Sequence, residues 1–261
     1  MIVVKFGGHA MRDENGSFGA AILQALRLGE QVVVVHGGGP QIDTALSEQG
    51  IISDWIGGFR VTTEQIFEIV ERVLVNEVGP EIALRLNQVG VKAQSISART
   101  LPTIIAKPRI NLIDGTSVDL GLVGDIESVD TRQILELLNQ QIVPIIAPIS
   151  SDAYLSSGLN VNADFAAAAI AGALDASVLV VMTDVAGIYR NWPDTSSLIT
   201  SISVDELESI KEMFAEGMAP KVQASLDAIA AGAKAVRIID GTDPESFANA
   251  LAGHGGTLVS A

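Results

Sequence analysis

The chain has 261 residues, of which 48% are hydrophobic and 18% are charged, as expected of a globular protein with a large core. Its formal net charge of −15 argues against a nucleic-acid partner, because phosphate backbones are bound by clustered Lys and Arg. The absence of cysteine excludes disulfides, thiol catalysis and cysteine-bound metals. The most apolar stretch, Phe165–Leu174, is too short to cross a bilayer, and Met1 leads straight into an apolar segment. We therefore expect a cytoplasmic protein with no membrane partner.

Short β-branched runs alternate with longer helical patterns along most of the chain. Strands are predicted at Ile2–Phe6, Val32–Val35, Ala93–Ile96, Val143–Ala147, Val178–Met182 and Val236–Ile239. Helices are predicted at Phe18–Leu28, Gln41–Gln49, Glu64–Val78, Thr131–Gln140, Ala163–Leu174, Val204–Phe214 and Lys221–Ala231. Several of these strands are continuously apolar, as parallel strands covered on both faces are. The alternation predicts an α/β fold: a three-layer αβα sandwich with a mainly parallel central sheet.

Two stretches depart from this alternation. Residues 99–129 have extended segments with turns at Asp114-Gly115 and Gly121–Gly124, which predicts antiparallel hairpins inserted on the edge of the main sheet. Residues 184–201 form a loop long enough to be functional. A boundary between two lobes is expected near Gly172–Ser177, giving an N-terminal lobe of residues 1–173 and a C-terminal lobe of residues 174–261.

Two glycine loops directly follow predicted strands. Lys5 stands just before Gly7-Gly8, and the second strand leads into His36 and then Gly37-Gly38-Gly39. The commonest role of a lysine at a strand end is a solvated charge, and an ordinary strand–helix turn needs one glycine. Three glycines at a helix N-terminus instead leave unobstructed N–H groups that favour phosphate. His36 itself is expected to be a packed or hydrogen-bonded residue.

Two further segments supply polar groups at helix starts. Asn162 is a reasonable N-cap and Asp164 suits the first turn of its helix, whereas Asn160 has no such structural explanation. Lys221 lies in the first turn of a late helix, where a cation is electrostatically disfavoured. A lysine against its local preference favours a functional role. Two lysines, a carboxylate and glycine N–H groups together predict phosphoryl transfer.

The chain resembles the amino acid kinase superfamily and, within it, the acetylglutamate kinase branch. The superfamily resemblance is carried by the lysine–glycine start, the triple glycine and the turn at residues 183–188. The branch is indicated by residues 36–41, 58–62, 121–125 and 160–164, and the similarity runs essentially end to end. It implies that ATP phosphorylates the side-chain carboxylate of N-acetyl-L-glutamate, the second step of arginine biosynthesis, with Mg²⁺ carried on the ATP phosphates and no dedicated metal ligands in the protein.

The resemblance also implies residue roles. The catalytic set would be Lys5, Lys221, Asp164 and Gly8, with Asp164 holding both lysines in place. The substrate would be bound by Gly38, Gly39, Arg60, Asn160 and Asn162, with Arg60 on its α-carboxylate. The nucleotide would contact Gly7, Gly37, Asp184, Val185, Ala186, Gly187, Ile188, Tyr189, Met213, Phe214 and Ala215. His9 departs from the small polar residue expected after the paired glycines.

Assembly is expected to be a homodimer. The chain begins directly at the first strand, whereas arginine-inhibited members carry an extra N-terminal helix that links dimers into a hexamer, so that mode of feedback is not expected. Ile66, Ile69, Val70 and Val73 could form part of a dimer seam or pack on the sheet, since both require the same apolar stripe.

Two alternatives stay open. One is a related kinase acting on a carrier-linked aminoadipate or glutamate, although an acidic carrier would be repelled by a chain of charge −15. Carbamate and uridylate kinases share the scaffold but are disfavoured by the segments at 58–62 and 160–164. The other is a non-catalytic nucleotide or amino-acid sensor, which would usually have lost one of Lys5, Asp164 and Lys221.

Overall fold

A computed structural model describes residues 1–7, 16–97, 102–152, 158–214 and 217–261. Its strands are β1 (Ile2–Phe6), β2 (Val32–His36), β3 (Trp55–Ile56), β4 (Phe59–Arg60), β5 (Ala93–Ser97), β6 (Ile104–Pro108), β7 (Gly124–Val129), β8 (Val143–Ala147), β9 (Ile149–Asp152), β10 (Gly158–Asn160), β11 (Val178–Thr183), β12 (Ile188–Tyr189), β13 (Leu198–Ile199), β14 (Ser201–Ser203), β15 (Ala235–Asp240) and β16 (Thr257–Ser260).

The α-helices are α1 (Ser17–Arg27), α2 (Gly39–Glu48), α3 (Glu64–Glu71), α4 (Gly79–Gln88), α5 (Arg132–Asn139), α6 (Ala163–Ala173), α7 (Val204–Ile210), α8 (Ala219–Ala230) and α9 (Ser246–Leu251). A π-helical segment, Arg72–Val78, joins α3 to α4, and short 3₁₀ turns occupy Thr195–Ser197 and Lys211–Met213. No helix among the described residues is long and apolar enough to cross a membrane.

The central sheet has eight strands in the order β14-β16-β15-β11-β1-β2-β8-β5. Among the described residues, the β15–β16 pair is the one antiparallel ladder of this sheet, and the other pairs are parallel. Val4 and Val34 face one core cluster, whereas Val3 and Val33 face the other. Because alternate residues of one strand enter different cores, helices must cover both faces of the sheet. The predicted three-layer αβα fold with a mainly parallel sheet is confirmed.

The hairpin region is placed differently from the prediction. β6 and β7 pair antiparallel, as expected, but they belong to a separate four-stranded sheet with the order β10-β9-β6-β7 and not to the edge of the main sheet. β8 ends at Ala147, and Pro148 follows it. The chain continues past it as β9, whose two edges pair with β6 and β10. The predicted turn at Asp114-Gly115 is present, with Gly115 at φ 83°.

The helix predicted over Glu64–Val78 continues further than expected. It widens into the π-helical segment and runs on as α4, although Pro80 stands at the start of α4. A proline breaks the α-helical ladder, and a π segment is a common way to accommodate such an irregularity. A Cβ at Gly79 would lie 2.4 Å from Ser95 Oγ and 3.1 Å from His36 Nε2, so only glycine lets the helix approach the sheet there.

The apolar stripe of this helix is internal to the chain. Ile66, Ile69, Val70 and Val73 are each at most 5% exposed and belong to the core between helices and sheet. These four side chains therefore pack on their own fold and do not offer a free apolar face. A homodimer stays a prediction, and any seam on this helix would use other residues.

Candidate active site

The order of the strands in the central sheet indicates where a ligand site is expected. The chain leaves β1 toward β2 on one side and later returns through β11 on the other, so β1 lies at the point where the strand order reverses. In open α/β sheets, ligands bind at such a point, beyond the carboxyl ends of the strands. A cleft of about 490 Å³ opens there, and Lys5 at the end of β1 is part of its wall.

Many of the predicted residues meet in this cleft. The structure brings together Lys5, Gly7, Gly37, Gly38, Gly39, Arg60, Asn160, Asn162, Asp164 and Lys221. The residues separated most widely in sequence, Lys5 and Lys221, come from β1 and α8. Gly8 and Ala215 lie outside the described residues, as does His9.

Two lysines from different elements converge on Asp164. Lys5 Nζ is 3.0 Å from Asp164 Oδ1, and Lys221 Nζ is 3.3 Å from Asp164 Oδ2. Burial alone would raise the pKa of Asp164, but attraction to the ammonium groups of Lys5 and Lys221 outweighs it and leaves this pKa below its usual range. Asp164 is therefore a carboxylate at neutral pH that fixes the positions of two cations.

The start of α6 holds this carboxylate in place. Asn162 is the N-cap, and its side-chain oxygen accepts a hydrogen bond of 2.8 Å from the Asp164 N–H. Asp164 in the first turn also faces the positive end of the helix dipole. The helix behind it is packed closely: a Cβ at Gly172 would lie 2.3 Å from the Cβ of Ala231, next to the C-terminus of α8. The capping role predicted for Asn162 is confirmed.

The glycines near Lys5 make room for its ammonium group and for backbone contact. Lys5 Nζ donates to the Met182 carbonyl at 3.2 Å, which ties β1 to β11. A Cβ on Gly7 would lie 3.2 Å from Lys5 Nζ, so a side chain there would crowd the cation. The Gly37 N–H already donates to the Phe6 carbonyl at 2.8 Å, and a Cβ on Gly37 would meet Gly7 Cα at 3.4 Å. The two glycine loops thus pack directly against each other beneath the cleft.

His36 holds the triple-glycine loop from below. The ring is fully buried, and its Nδ1 lies 2.7 Å from the Gly37 carbonyl, so that this nitrogen is the donor. Burial lowers the pKa of His36 from 6.5 to about 4, although the hydrogen bond to Gly37 acts in the opposite direction. The ring is therefore neutral at physiological pH. This agrees with the expectation of a packed, hydrogen-bonded residue.

The far end of the cleft is built around Arg60. Its side chain is 4% exposed, its Nη2 lies 2.7 Å from Asp43 Oδ1, and its Nη1 donates to Ser53 Oγ. The guanidinium carbon lies 4.5 Å from the ring centre of Trp55. Sequence reasoning missed Asp43, Ser53 and Trp55. The Trp55–Phe59 segment carries a hairpin signal in its two glycines, but the spacing of Asp43 gives none.

Asn160 is connected to the same region through Thr62. Asn160 Nδ2 donates to Thr62 Oγ1 at 3.1 Å, and Thr62 Oγ1 donates to the Arg60 carbonyl at 2.8 Å. Thr62 is fully buried. The position of Asn160, which helix capping does not explain, therefore has a structural link to the strand that carries Arg60.

Gly7 and Gly37 line this cleft, but the other described residues predicted to contact the nucleotide do not. Asp184, Val185, Ala186, Gly187, Ile188, Tyr189, Met213 and Phe214 are absent from its wall. Ile188 is fully buried and its N–H donates to Thr257 Oγ1, while a Cβ on Gly187 would lie 2.4 Å from the same oxygen. These two residues have a packing role in the structure. The nucleotide contacts of the whole group stay predictions.

No group of three or more His, Asp or Glu among the described residues is arranged to hold a metal ion. The charged side chains at the lysine end of the cleft are two cations and one carboxylate, which suits an anionic ligand.

Comparison with known proteins identifies the class. The pattern of the amino acid kinase family matches residues 1–240. The chain belongs to this family.

Individual proteins similar to this chain indicate a branch within the family. An acetylglutamate kinase from Mycolicibacterium gilvum is 41% identical, over 92% of this chain and 83% of that protein. An acetylglutamate kinase from Rhodococcus jostii is 40% identical, over 100% of this chain and 85% of that protein. Among solved structures, smu.665 from Streptococcus mutans is 29% identical with a TM-score of 0.82, covering 99% of this chain and 98% of that one.

Proposed function

We propose that this protein transfers the γ-phosphoryl group of ATP to the side-chain carboxylate of N-acetyl-L-glutamate, giving N-acetyl-L-glutamyl 5-phosphate and ADP. The observation that carries the proposal is the convergence of Lys5 and Lys221 on the buried Asp164 in the cleft. Relatives about 40% identical over most of the chain are acetylglutamate kinases. Their reaction is the second step of arginine biosynthesis.

Repulsion between the reactants is the main obstacle to this reaction. Donor and acceptor are both anions, and two unit charges ~4 Å apart repel by about 4 kcal/mol at an effective dielectric near 20. Lys5 and Lys221 contact different carboxylate oxygens of Asp164 in the cleft, and their charges offset this repulsion on the transferring group. Because Asp164 holds both ammonium groups before substrate binds, little reorganisation is needed at the moment of reaction.

The acceptor is already a nucleophile. One carboxylate oxygen attacks the γ-phosphorus, the bond from phosphorus to the β,γ-bridging oxygen breaks, and ADP leaves with that electron pair. No proton is transferred, so we assign Asp164 no role as a base. Gly38 and Gly39 lie at the start of α2, where the N–H groups and the helix dipole favour the negative charge of the transferring group. Gly8 is proposed as a further donor but lies outside the described residues.

Substrate orientation is assigned to the other end of the cleft. Arg60 is proposed to bind the α-carboxylate, because a guanidinium fork matches a carboxylate in a bidentate contact. Asn160 and Asn162 are proposed to contact the rest of the acceptor. The nucleotide is assigned to Gly7, Gly37, the 184–189 turn and the 213–215 segment. The glycine cradle that a Cβ would fill suits phosphate oxygens, and bound Mg²⁺ would neutralise part of the charge on the ATP phosphates.

The experiment is ATP-dependent acyl-phosphate formation trapped with hydroxylamine, with N-acetylglutamate, glutamate, aspartate, N-acetyl-aminoadipate and carbamate as acceptors. We expect strong selectivity for N-acetylglutamate. Asp164→Asn is the test variant, since it keeps the shape of the residue and removes the charge that holds the lysines. Turnover of another acceptor alone would refute the proposed substrate, and ATP binding without turnover of any acceptor would favour a sensor.

A further inference from the structure

Asp43 is a charged residue of the cleft region to which neither the sequence motifs nor the proposed reaction gives a role. It lies in α2, one helical turn after Gly39, and its side chain is 59% exposed. Its Oδ1 is 2.7 Å from Nη2 of Arg60, a side chain that is only 4% exposed. An exposed carboxylate therefore partners a buried guanidinium.

The contacts of Arg60 are arranged on several sides. Asp43 meets Nη2, Ser53 accepts from Nη1, and the ring of Trp55 lies 4.5 Å from the guanidinium carbon. These are its polar and aromatic side-chain partners among the described residues, and each terminal nitrogen carries two hydrogens. Ser53 takes one N–H of Nη1, whereas Nη2 is buried beside Asp43 without a hydrogen-bond acceptor among the described residues. The fork therefore has N–H groups left for a ligand in the cleft, whose wall includes Arg60.

The Asp43–Arg60 pair also joins two parts of the cleft. Asp43 belongs to the helix that begins in the triple-glycine loop, and Arg60 ends the β3–β4 hairpin. Of the described partners of Arg60, Asp43 alone carries a charge, and its carboxylate forms a close ion pair with a guanidinium that is almost fully buried. The orientation of the fork relative to the glycine loop therefore depends chiefly on Asp43.

We propose that Asp43 is a positioning residue that orients Arg60, so that the guanidinium fork presents its remaining N–H groups to the substrate's α-carboxylate. This inference rests on the proposed function and deepens it. Asp43 does not touch the substrate in this scheme. Its effect passes through Arg60 and concerns binding of the acceptor, not the phosphoryl transfer step.

The test is Asp43→Asn, which keeps the shape of the side chain and removes its charge. We expect the KM for N-acetylglutamate to rise about tenfold, because the ion pair that orients Arg60 is lost. The kcat should stay within about twofold of the parent value. The KM for ATP should be unchanged. Glu77→Gln is the matched control, because Glu77 pairs with Arg72 on the exposed surface, where loss of an ion pair has little effect.

A second substrate separates positioning from a general structural effect. In N-acetyl-isoglutamine the α-carboxylate is an amide, so the charged contact with Arg60 is lost whichever residue stands at position 43. We expect Asp43→Asn to change kcat/KM for this substrate by less than twofold. Calorimetric titration with N-acetylglutamate in the absence of ATP should show the same tenfold loss of affinity as the kinetics.

Several results would overturn the proposal. A lower KM in Asp43→Asn would mean that Asp43 competes with the substrate for Arg60. A loss confined to kcat, an equal loss with the amide substrate, or an unchanged KM would also remove the assigned role. If the unmodified protein neither binds nor phosphorylates N-acetylglutamate, the proposed function fails, and the role of Asp43 fails with it. If the unmodified protein is active and only the expected KM change is absent, the Asp43 proposal alone fails.

Discussion

The buried neutral ring of His36 should make the stability of this protein fall at mildly acidic pH. The ring is fully buried, and its Nδ1 donates to the Gly37 carbonyl. Its Nε2 has no hydrogen-bond partner in the part of the chain that the structure describes, so a second proton there would be buried without an acceptor. Protonation of His36 in acid therefore destabilises the residue that supports the triple-glycine loop.

The magnitude follows from the difference between the two states. The pKa of His36 is about 4 in the folded protein and near 6.5 when the ring is exposed by unfolding. Between these values the unfolded chain binds more protons, so the free energy of unfolding rises with pH through this window. A difference of about 2.5 pH units corresponds to about 3 kcal/mol of stability, present above pH 6.5 and lost as pH falls to 4. At pH 5 the loss is about 2 kcal/mol.

Urea unfolding followed by circular dichroism at pH 7.5, 6, 5 and 4.5 measures this loss. The comparison is with His36→Asn, whose amide nitrogen can occupy the place of Nδ1 but does not titrate. The variant should be less stable at pH 7.5, because it leaves unfilled volume, but should lose about 2 kcal/mol less than the parent between pH 7.5 and 5. His254→Asn is the control at an exposed position. Equal acid losses in the parent and in His36→Asn would refute the reasoning.

Three other predictions follow from the site and its surroundings. Lys5→Ala and Lys221→Ala should each lower kcat by at least about a hundredfold with modest changes in KM. Lys234→Ala, at an exposed site, should leave kcat unchanged. Equal loss of binding with intact turnover would contradict the role of the two lysines. Arg60→Lys should chiefly raise the KM for the acceptor, since lysine cannot reproduce the fork, and an unchanged KM would remove Arg60 from the substrate site. Thr257→Val should lower the free energy of unfolding by roughly 3 kcal/mol in urea titrations. The reason is that the Thr257 hydroxyl accepts from the Ile188 N–H and donates to the Ile199 carbonyl. A loss under about 1 kcal/mol would show that these two hydrogen bonds contribute little to stability.

The fold was largely predictable because several strands of the central sheet are continuous or nearly continuous apolar runs. Ile2–Phe6 and Val143–Ala147 have the predicted bounds, since no other local structure buries such runs so completely. The second sheet was not predictable in its placement. Its pairing depends on β9 offering one edge to β6, which lies far earlier in the chain, and this partner cannot be inferred from local pattern.

The site was predictable where local chemistry conflicts with packing. Triple glycine and a lysine at a helix N-terminus are poor choices for stability, so they indicated function, and the structure places them in one cleft. Asp43 gave no such signal because an aspartate on an exposed helix face is ordinary. Its significance depends on Arg60 being brought beside it by a hairpin that starts several residues later. Contacts between residues that carry no unusual local signal can be recognised only from the tertiary structure.

The pairing of charges in the cleft explains how so acidic a chain can hold two anions. Lys5 and Lys221 share Asp164, and Arg60 is paired with Asp43, so three cations and two carboxylates leave one net positive charge. Unpaired buried cations would be costly to desolvate, and each pair offsets that cost before substrate arrives. One net charge cannot balance a nucleotide triphosphate and a dicarboxylate. Backbone N–H groups at the glycine loops and Mg²⁺ on the phosphates must therefore provide the rest, so binding of the two substrates should depend on Mg²⁺ more steeply than binding of the acceptor alone.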